Sequence, residues 1–262
     1  MIEIFFNSLH WALASSLIVL VSGSLTVLCI LLVRKLFKLH YLERHHDITS
    51  TIFSNFSVLY SVLIAFTIIN AQNSYDSADN AILMEAIHLD LLYRDAQLFS
   101  NSDKEKIHIA LTSYVKSIRE DEWGLSFPSE KTSLAFKNLW QCYYALDASS
   151  KKQELWYTLS INRLNELVDS RAERIHAASA LIGAQMWTFL ISGGIIFLFF
   201  LCCFESKQLG IYLIMSFFTA GAISISLFLI YSLNNIFTGS AQISSEPFDI
   251  ILHLWNIPLE KN

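Results

Sequence analysis

Between Gly23 and Gly124 the chain contains no glycine, and before Pro128 it contains no proline. A stretch of that length without helix breakers excludes a fold of short elements joined by tight turns and permits helices of unusual length. Charge is also missing in long blocks. Asp47 and Asp76 bracket 28 uncharged residues, and similar blocks run from Ile175 to Phe204 and from Gln208 to Ser245. A fourth, Met1 to Val33, is interrupted only by Glu3. Cysteine is scarce: Cys142 stands alone in the long middle segment, which excludes a disulfide framework there and predicts free thiols. Cys29, Cys202 and Cys203 fall in or beside apolar blocks and read as small packing residues, in preference to lipidation of Cys202 and Cys203. The chain has no glycine-rich phosphate loop, nucleophile elbow or HExxH, so the sequence argues against an enzyme. His40, His45, His46 and Asp47 read as headgroup-facing residues of a basic loop, and neither a metal nor a cofactor is expected. Residues 73–185 carry 16 acidic and 12 basic side chains, a net charge of −4, which gives no footing for nucleic acid.

What is present is apolar: 53% of the 262 residues are hydrophobic. A bilayer core about 30 Å thick is crossed by about 20 apolar helical residues, and only regular backbone satisfies its amides there. The fold class predicted is therefore an all-α membrane protein in a lipid bilayer, a single polytopic module over 1–262. Its four transmembrane helices lie near 12–33, 52–72, 186–204 and 210–232, and no Asp, Glu, Lys or Arg falls within their cores. Residues 73–185 form a helical extramembrane domain between spans 2 and 3, and 233–262 a C-terminal tail. No basic residue precedes the first span, whereas Arg34, Lys35, Lys38 and Arg44 follow it directly. That order is the reverse of a cleaved signal peptide, so the first helix is expected to remain and to run from outside to inside. The long domain then lies outside the cytoplasm.

The middle segment reads as helical. Ile82, Ala86, Leu89 and Tyr93 recur at three- or four-residue spacing, so the second span is expected to continue past the membrane surface as one helix. Lys151 to Ile182 also lacks glycine and proline and is expected to run into the third span. Between them, Ser102 with Glu105 reads as a capping box before Ile107, Leu111, Tyr114 and Ile118. Asp121 to Pro128 is a loop, and Ser129 caps a helix bearing Phe136, Leu139, Trp140 and Tyr143. The expected domain is a bundle of about four helices, two of them continuous with spans.

Three separated blocks, LYSVLIAFTIINAQNSYDSADNAILMEAIHLDLLYRDAQLF, SRAERIHAASALIGAQMW and NNIFTGSAQISSEPFDI, resemble the bestrophin-like family in their order and in their relation to four spans. The resemblance places Tyr60, Glu85, Arg94, Arg171, Arg174, Trp187, Phe237, Gly239, Pro247 and Phe248 at the family's characteristic positions. Ala184 stands where a proline usually precedes the tryptophan of the third span, and Asn235 and Ile236 replace the aspartate and proline usual before the tail's Phe-x-Gly. The family is named by analogy to bestrophins, oligomeric anion channels with four-helix subunits. The resemblance thus implies a homo-oligomeric channel in a bacterial inner membrane.

Local chemistry supplies three candidate sites. Ser54, Ser57, Ser61, Ala65, Ile68 and Ala71 recur along one side of the second span. Such a stripe either lines a water path or lets helices pack closely. With no intramembrane carboxylate or base for coupled transport, a passive pore with unassigned ion selectivity ranks above a transporter. Asp76, Asp79 and Asp90 share a face of the extended helix, either an acidic vestibule in a ring of subunits or a solvated surface. Glu85, Arg94, Arg171 and Arg174 are predicted to clamp two antiparallel helices, in preference to binding a ligand. The alternative function is a non-conducting scaffold or sensor whose helical domain binds a partner.

Overall fold

The structure, a computed structural model, describes residues 2–36, 46–125, 127–147, 150–178, 182–203, 208–237 and 242–257. Every regular element among them is a helix: α1 Ile2–Leu36, α2 His46–Asp95, α3 Asn101–Ser117, α4 Glu130–Tyr144, α5 Lys151–Ala178, α6 Ala184–Cys203, α7 Leu209–Asn234 and α8 Glu246–Leu254. α2 is unbroken over 50 residues, about 75 Å at the α-helical rise. This is the continuation that the missing breakers predict. Four stretches are long and apolar enough to cross a membrane: Trp11–Leu36, Ser50–Leu98, Ala184–Cys203 and Leu209–Asn234. The chain divides into two compact units, Met1–Gln72 with Ile182–Asn234 and Asn73–Leu181 with Asn235–Asn262.

The first unit is the membrane unit, and it is apolar outwards. Leu17, Leu59, Phe66, Phe199 and Phe218 are each more than 60% exposed, a surface that lipid accepts and water does not. α1 and α7 form its closest pair, and α6 packs against both. In α1 and α7, a Cβ at Gly23 would lie 2.4 Å from the Phe217 ring, and one at Gly221 would lie 2.8 Å from Val19. In α2 and α6, a Cβ at Gly193 would lie 2.5 Å from the Tyr60 ring. Small residues let backbones approach where no hydrophobic effect drives helices together. The Tyr60 hydroxyl donates to the Leu190 carbonyl at 2.8 Å, so the polar end of this buried ring is satisfied without water.

The second unit is a helical bundle with its own core. Ile82, Leu89 and Leu92 of α2, Ile107 and Leu111 of α3, Leu139 of α4 and Leu164 of α5 are fully buried. Three features differ from the sequence expectation. First, α3 is capped by Ser100 rather than Ser102: its Oγ accepts from the Asp103 N–H at 3.2 Å and donates to Asp103 Oδ2 at 2.7 Å. A 3-10 turn at Ala96–Leu98 ends α2 and leaves Phe99 extended, so the helix starts earlier, and the Asp103 carboxylate accepts from the Ser100 hydroxyl. Second, α5 ends at Ala178 and α6 begins at Ala184, with Gly183 outside both and its carbonyl accepting from Met186 and Trp187 N–H. Third, the tail is part of the bundle. α8 buries Phe248, Ile251 and Leu252, and Arg119 pairs with Asp249 at 2.5 Å.

Candidate functional site: an intramembrane groove and a buried ionic core

In the membrane unit, Ser54, Ser57, Ser61, Ala65 and Ile68 of α2 line an open groove of about 590 Å³. Thr219, Ala222 and Ser226 of α7 line it from the other side, and Phe197 of α6 contributes to it. Ser54, Ser61 and Ala65 are exposed there, Ser57 and Ile68 half-buried. Ala71 is not part of it. It is fully buried, because ten residues beyond Ser61 the helix has turned about 80° away. The hydroxyl protons are committed to their own helices: Ser57 to Phe53 O at 2.6 Å, Ser61 to Val58 O at 2.9 Å, Thr219 to Met215 O and Ser226 to Ala222 O at 2.8 Å. Bonded in this way, they tolerate lipid or a packed helix, and they still offer lone pairs to water.

In the helical unit, α2 and α5 are joined by three polar contacts that step in opposite directions along the two helices. Asp95 pairs with Arg163, His88 meets Ser170 at 3.3 Å and Glu166 at 3.6 Å, and Glu85 pairs with Arg174 at 2.5 Å. This is the antiparallel register inferred from matched heights. The last pair is the centre of a buried network. Glu85 is 0% and Arg174 3% exposed, with Arg171 at 7%. Arg174 bridges to Glu122 Oε1 at 2.7 Å. Arg171 donates to Glu122 Oε2 at 3.3 Å and to the Tyr114 hydroxyl at 2.9 Å, and the Tyr114 hydroxyl donates to Glu85 Oε1 at 2.6 Å. The guanidinium of Arg171 also lies over the Tyr114 and Phe136 rings at 5.5 and 5.1 Å, a cation–π geometry.

Two carboxylates and two guanidiniums balance, and each finds a partner, which is the condition for keeping charge in a low-dielectric interior. Burial works against the Arg174 charge, but the Glu85 and Glu122 carboxylates outweigh it and raise its pKa. Burial, reinforced by the Glu85 charge, pushes the Tyr114 hydroxyl well above its ordinary value. The phenol therefore stays protonated and bridges Arg171 to Glu85.

Arg94 is not in this network. Nine residues beyond Glu85 it emerges roughly 180° around α2, where it is two-thirds exposed and pairs with Asp90 at 2.5 Å. Asp90 in turn accepts from Trp255 Nε1 at 3.1 Å, and Trp255 stacks on Tyr93. Asp90 thus anchors the tail instead of sharing an open acidic face with Asp76 and Asp79, both exposed. Glu122 and Tyr114 join the network beyond the residues that the sequence predicts for the clamp. The signal was present: Glu122 follows Ile118 by four residues, in phase with Ile107, Leu111 and Tyr114. A π-helical turn at Ile118–Glu122 then carries it inwards.

A family model described as Bestrophin-like domain matches residues 20–248. The chain belongs to the bestrophin-like family. Neither a curated protein nor a solved structure matches it. Several positions singled out by the sequence resemblance are structural joints here, as is Gly124. Glu85, Arg171 and Arg174 form the buried network, and Tyr60 fills the gap left by Gly193. Trp187 meets Tyr231 edge-on at 6.5 Å. Phe237 and Phe248 both meet Trp123 edge-on, at 5.2 and 5.9 Å. Gly124, with φ of 84°, makes the turn beside Trp123, a conformation that suits glycine. Pro247 lies in the first turn of α8, where a missing N–H costs nothing. Gly239, His40 and His45 lie outside the described residues. Among the described residues no cluster of three or more His, Cys, Asp or Glu side chains is placed to hold a metal ion.

Proposed function

We propose that this multi-pass membrane protein is a homo-oligomeric ion channel of the bestrophin-like type, its pore lined by the second transmembrane helix and its ion selectivity unassigned. The observation that carries the reading is the groove of about 590 Å³, where the small and hydroxylated side of α2 faces a second hydroxylated stretch on α7. Hydroxyl oxygens along a water path replace part of an ion's hydration shell. Family membership supports the same reading. Exposed Leu83, Met84 and Ile87 in the helical unit favour a second one, a scaffold or sensor that docks a partner there. Purified protein reconstituted in liposomes tests the proposal. Ion flux from a preparation whose mass corresponds to an oligomer supports the channel; an assembled particle without flux favours the scaffold.

The protein is placed in a cell membrane of bacterial inner-membrane type, with the long helical domain outside the cytoplasm. Support comes from Arg34, Lys35, Lys38 and Arg44, which follow the first span and favour holding that end in the cytoplasm. Reporter fusions at residues 45 and 125 are expected to report opposite sides, with 45 cytoplasmic. A cytoplasmic signal at 125 reverses the orientation.

A further inference from the structure

We propose that Cys29 and Cys202 are an oxidisable pair that joins the first and third spans by a reversible disulfide. Cys202 Sγ on α6 lies 3.7 Å from Cys29 Sγ on α1, van der Waals contact for two sulfurs. Bond formation needs a further approach to about 2.05 Å. The two differ in access: Cys29 is exposed and Cys202 buried. Cys29 lies within the first span, so its exposed side faces the bilayer, and an oxidant able to enter the bilayer meets Cys29 before the buried Cys202. Cys203 is the adjacent residue on α6, about 100° further round the helix, and Cys142 belongs to the other unit.

The oxidant named is hydrogen peroxide, small and neutral. The Cys29 thiol loses its proton and its sulfur attacks one peroxide oxygen; the O–O bond breaks, and the departing hydroxide takes that proton as water. Cys29 is now a sulfenic acid. The Cys202 sulfur, giving up its proton, attacks the Cys29 sulfur. The S–O bond breaks, and hydroxide leaves with the Cys202 proton as a second water. Two thiols and one peroxide yield a disulfide and two waters, the thiols supplying the two electrons.

The position of the pair gives the bond a consequence. α1 packs closely on α7 through Gly23 and Gly221, and Gly193 of α6 makes room for the Tyr60 ring of α2. A bond between Cys29 and Cys202 fixes α1 covalently to α6, the helix that holds Tyr60 of α2. The oxidisable pair stands whether or not the groove conducts.

The test uses the full-length protein in native membranes, treated with hydrogen peroxide, alkylated, digested and analysed by mass spectrometry. The expected product is a Cys29–Cys202 linked peptide that disappears after dithiothreitol, with Cys142 and Cys203 still alkylated. Cys29→Ser and Cys202→Ser variants are expected to form no such link. The wild-type readout does not depend on either variant folding. Full alkylation of Cys29 and Cys202 after oxidation would overturn the proposal, as would a Cys29–Cys203 link or overoxidised Cys29 without any link.

Discussion

Glu85→Ala is expected to lower the unfolding stability of the helical unit by about 3–5 kcal/mol, the range for breaking a buried ion pair from one side. The loss is large because of what remains. Arg174 keeps Glu122 but loses the partner of its Nε, and it is only 3% exposed, so water cannot replace the carboxylate. The Tyr114 hydroxyl loses its acceptor at 2.6 Å while fully buried. Glu130→Ala is the control, an exposed first-turn residue of α4, expected to cost about 0.3–1 kcal/mol through the helix dipole. Arg94→Ala should behave like the control, since its pair with Asp90 is solvent-facing on the arginine side. Thermal unfolding in detergent, followed by circular dichroism, reads all three. Equal shifts for Glu85→Ala and Glu130→Ala would remove the ionic core as a stabilising element. Converting Glu85 and Arg174 together to apolar residues should recover part of the loss, because no charge is then stranded.

The elements that could be read from the sequence were those set by local composition. Uncharged blocks of helical length have one solution in a bilayer, so four spans followed from counting. The continuity of α2 followed because no glycine or proline falls within it. The Glu85–Arg174 pair followed from equal heights on two antiparallel helices, a regular geometry. What escaped depended on angle or on long-range packing. Arg94 does not join Glu85, because nine residues place it on the opposite side of the helix. Ala71 leaves the serine stripe because the stripe drifts round α2 over that distance. Glu122 lay in a segment read as loop, and the π-helical turn that buries it has no strong sequence signature. α8 is only nine residues long. A helix that short is marginal alone, and Phe248, Leu252 and Trp255 hold it only once the bundle supplies a surface. In the groove the serines were visible in sequence, but the facing hydroxyls of α7 were not, since nothing local relates Thr219 and Ser226 to Ser57 and Ser61.

Ser61→Leu is expected to abolish or sharply reduce ion flux while the oligomer still assembles. Ser61 is exposed in the groove, one turn from Ser57, and its hydroxyl proton is bonded to Val58 O at 2.9 Å. Its loss therefore strands no buried donor. Within one chain the groove of about 590 Å³ has room for a leucine, so folding of the subunit should be little affected. The consequence depends on what faces the groove in the assembly. Where water faces it, four apolar carbons narrow the path and dry it, and a dewetted constriction closes to ions without a change in contacts elsewhere. Where a neighbouring helix is seated there, the leucine overpacks the contact and costs roughly 1–3 kcal/mol of association or stability. The two cases separate when oligomer mass and liposome flux are measured on one preparation. Intact mass with lost flux places the conduction path along this side of α2. Loss of assembly before loss of flux assigns the stripe to helix packing, and a well-assembled variant with undiminished flux moves the path away from Ser61 altogether.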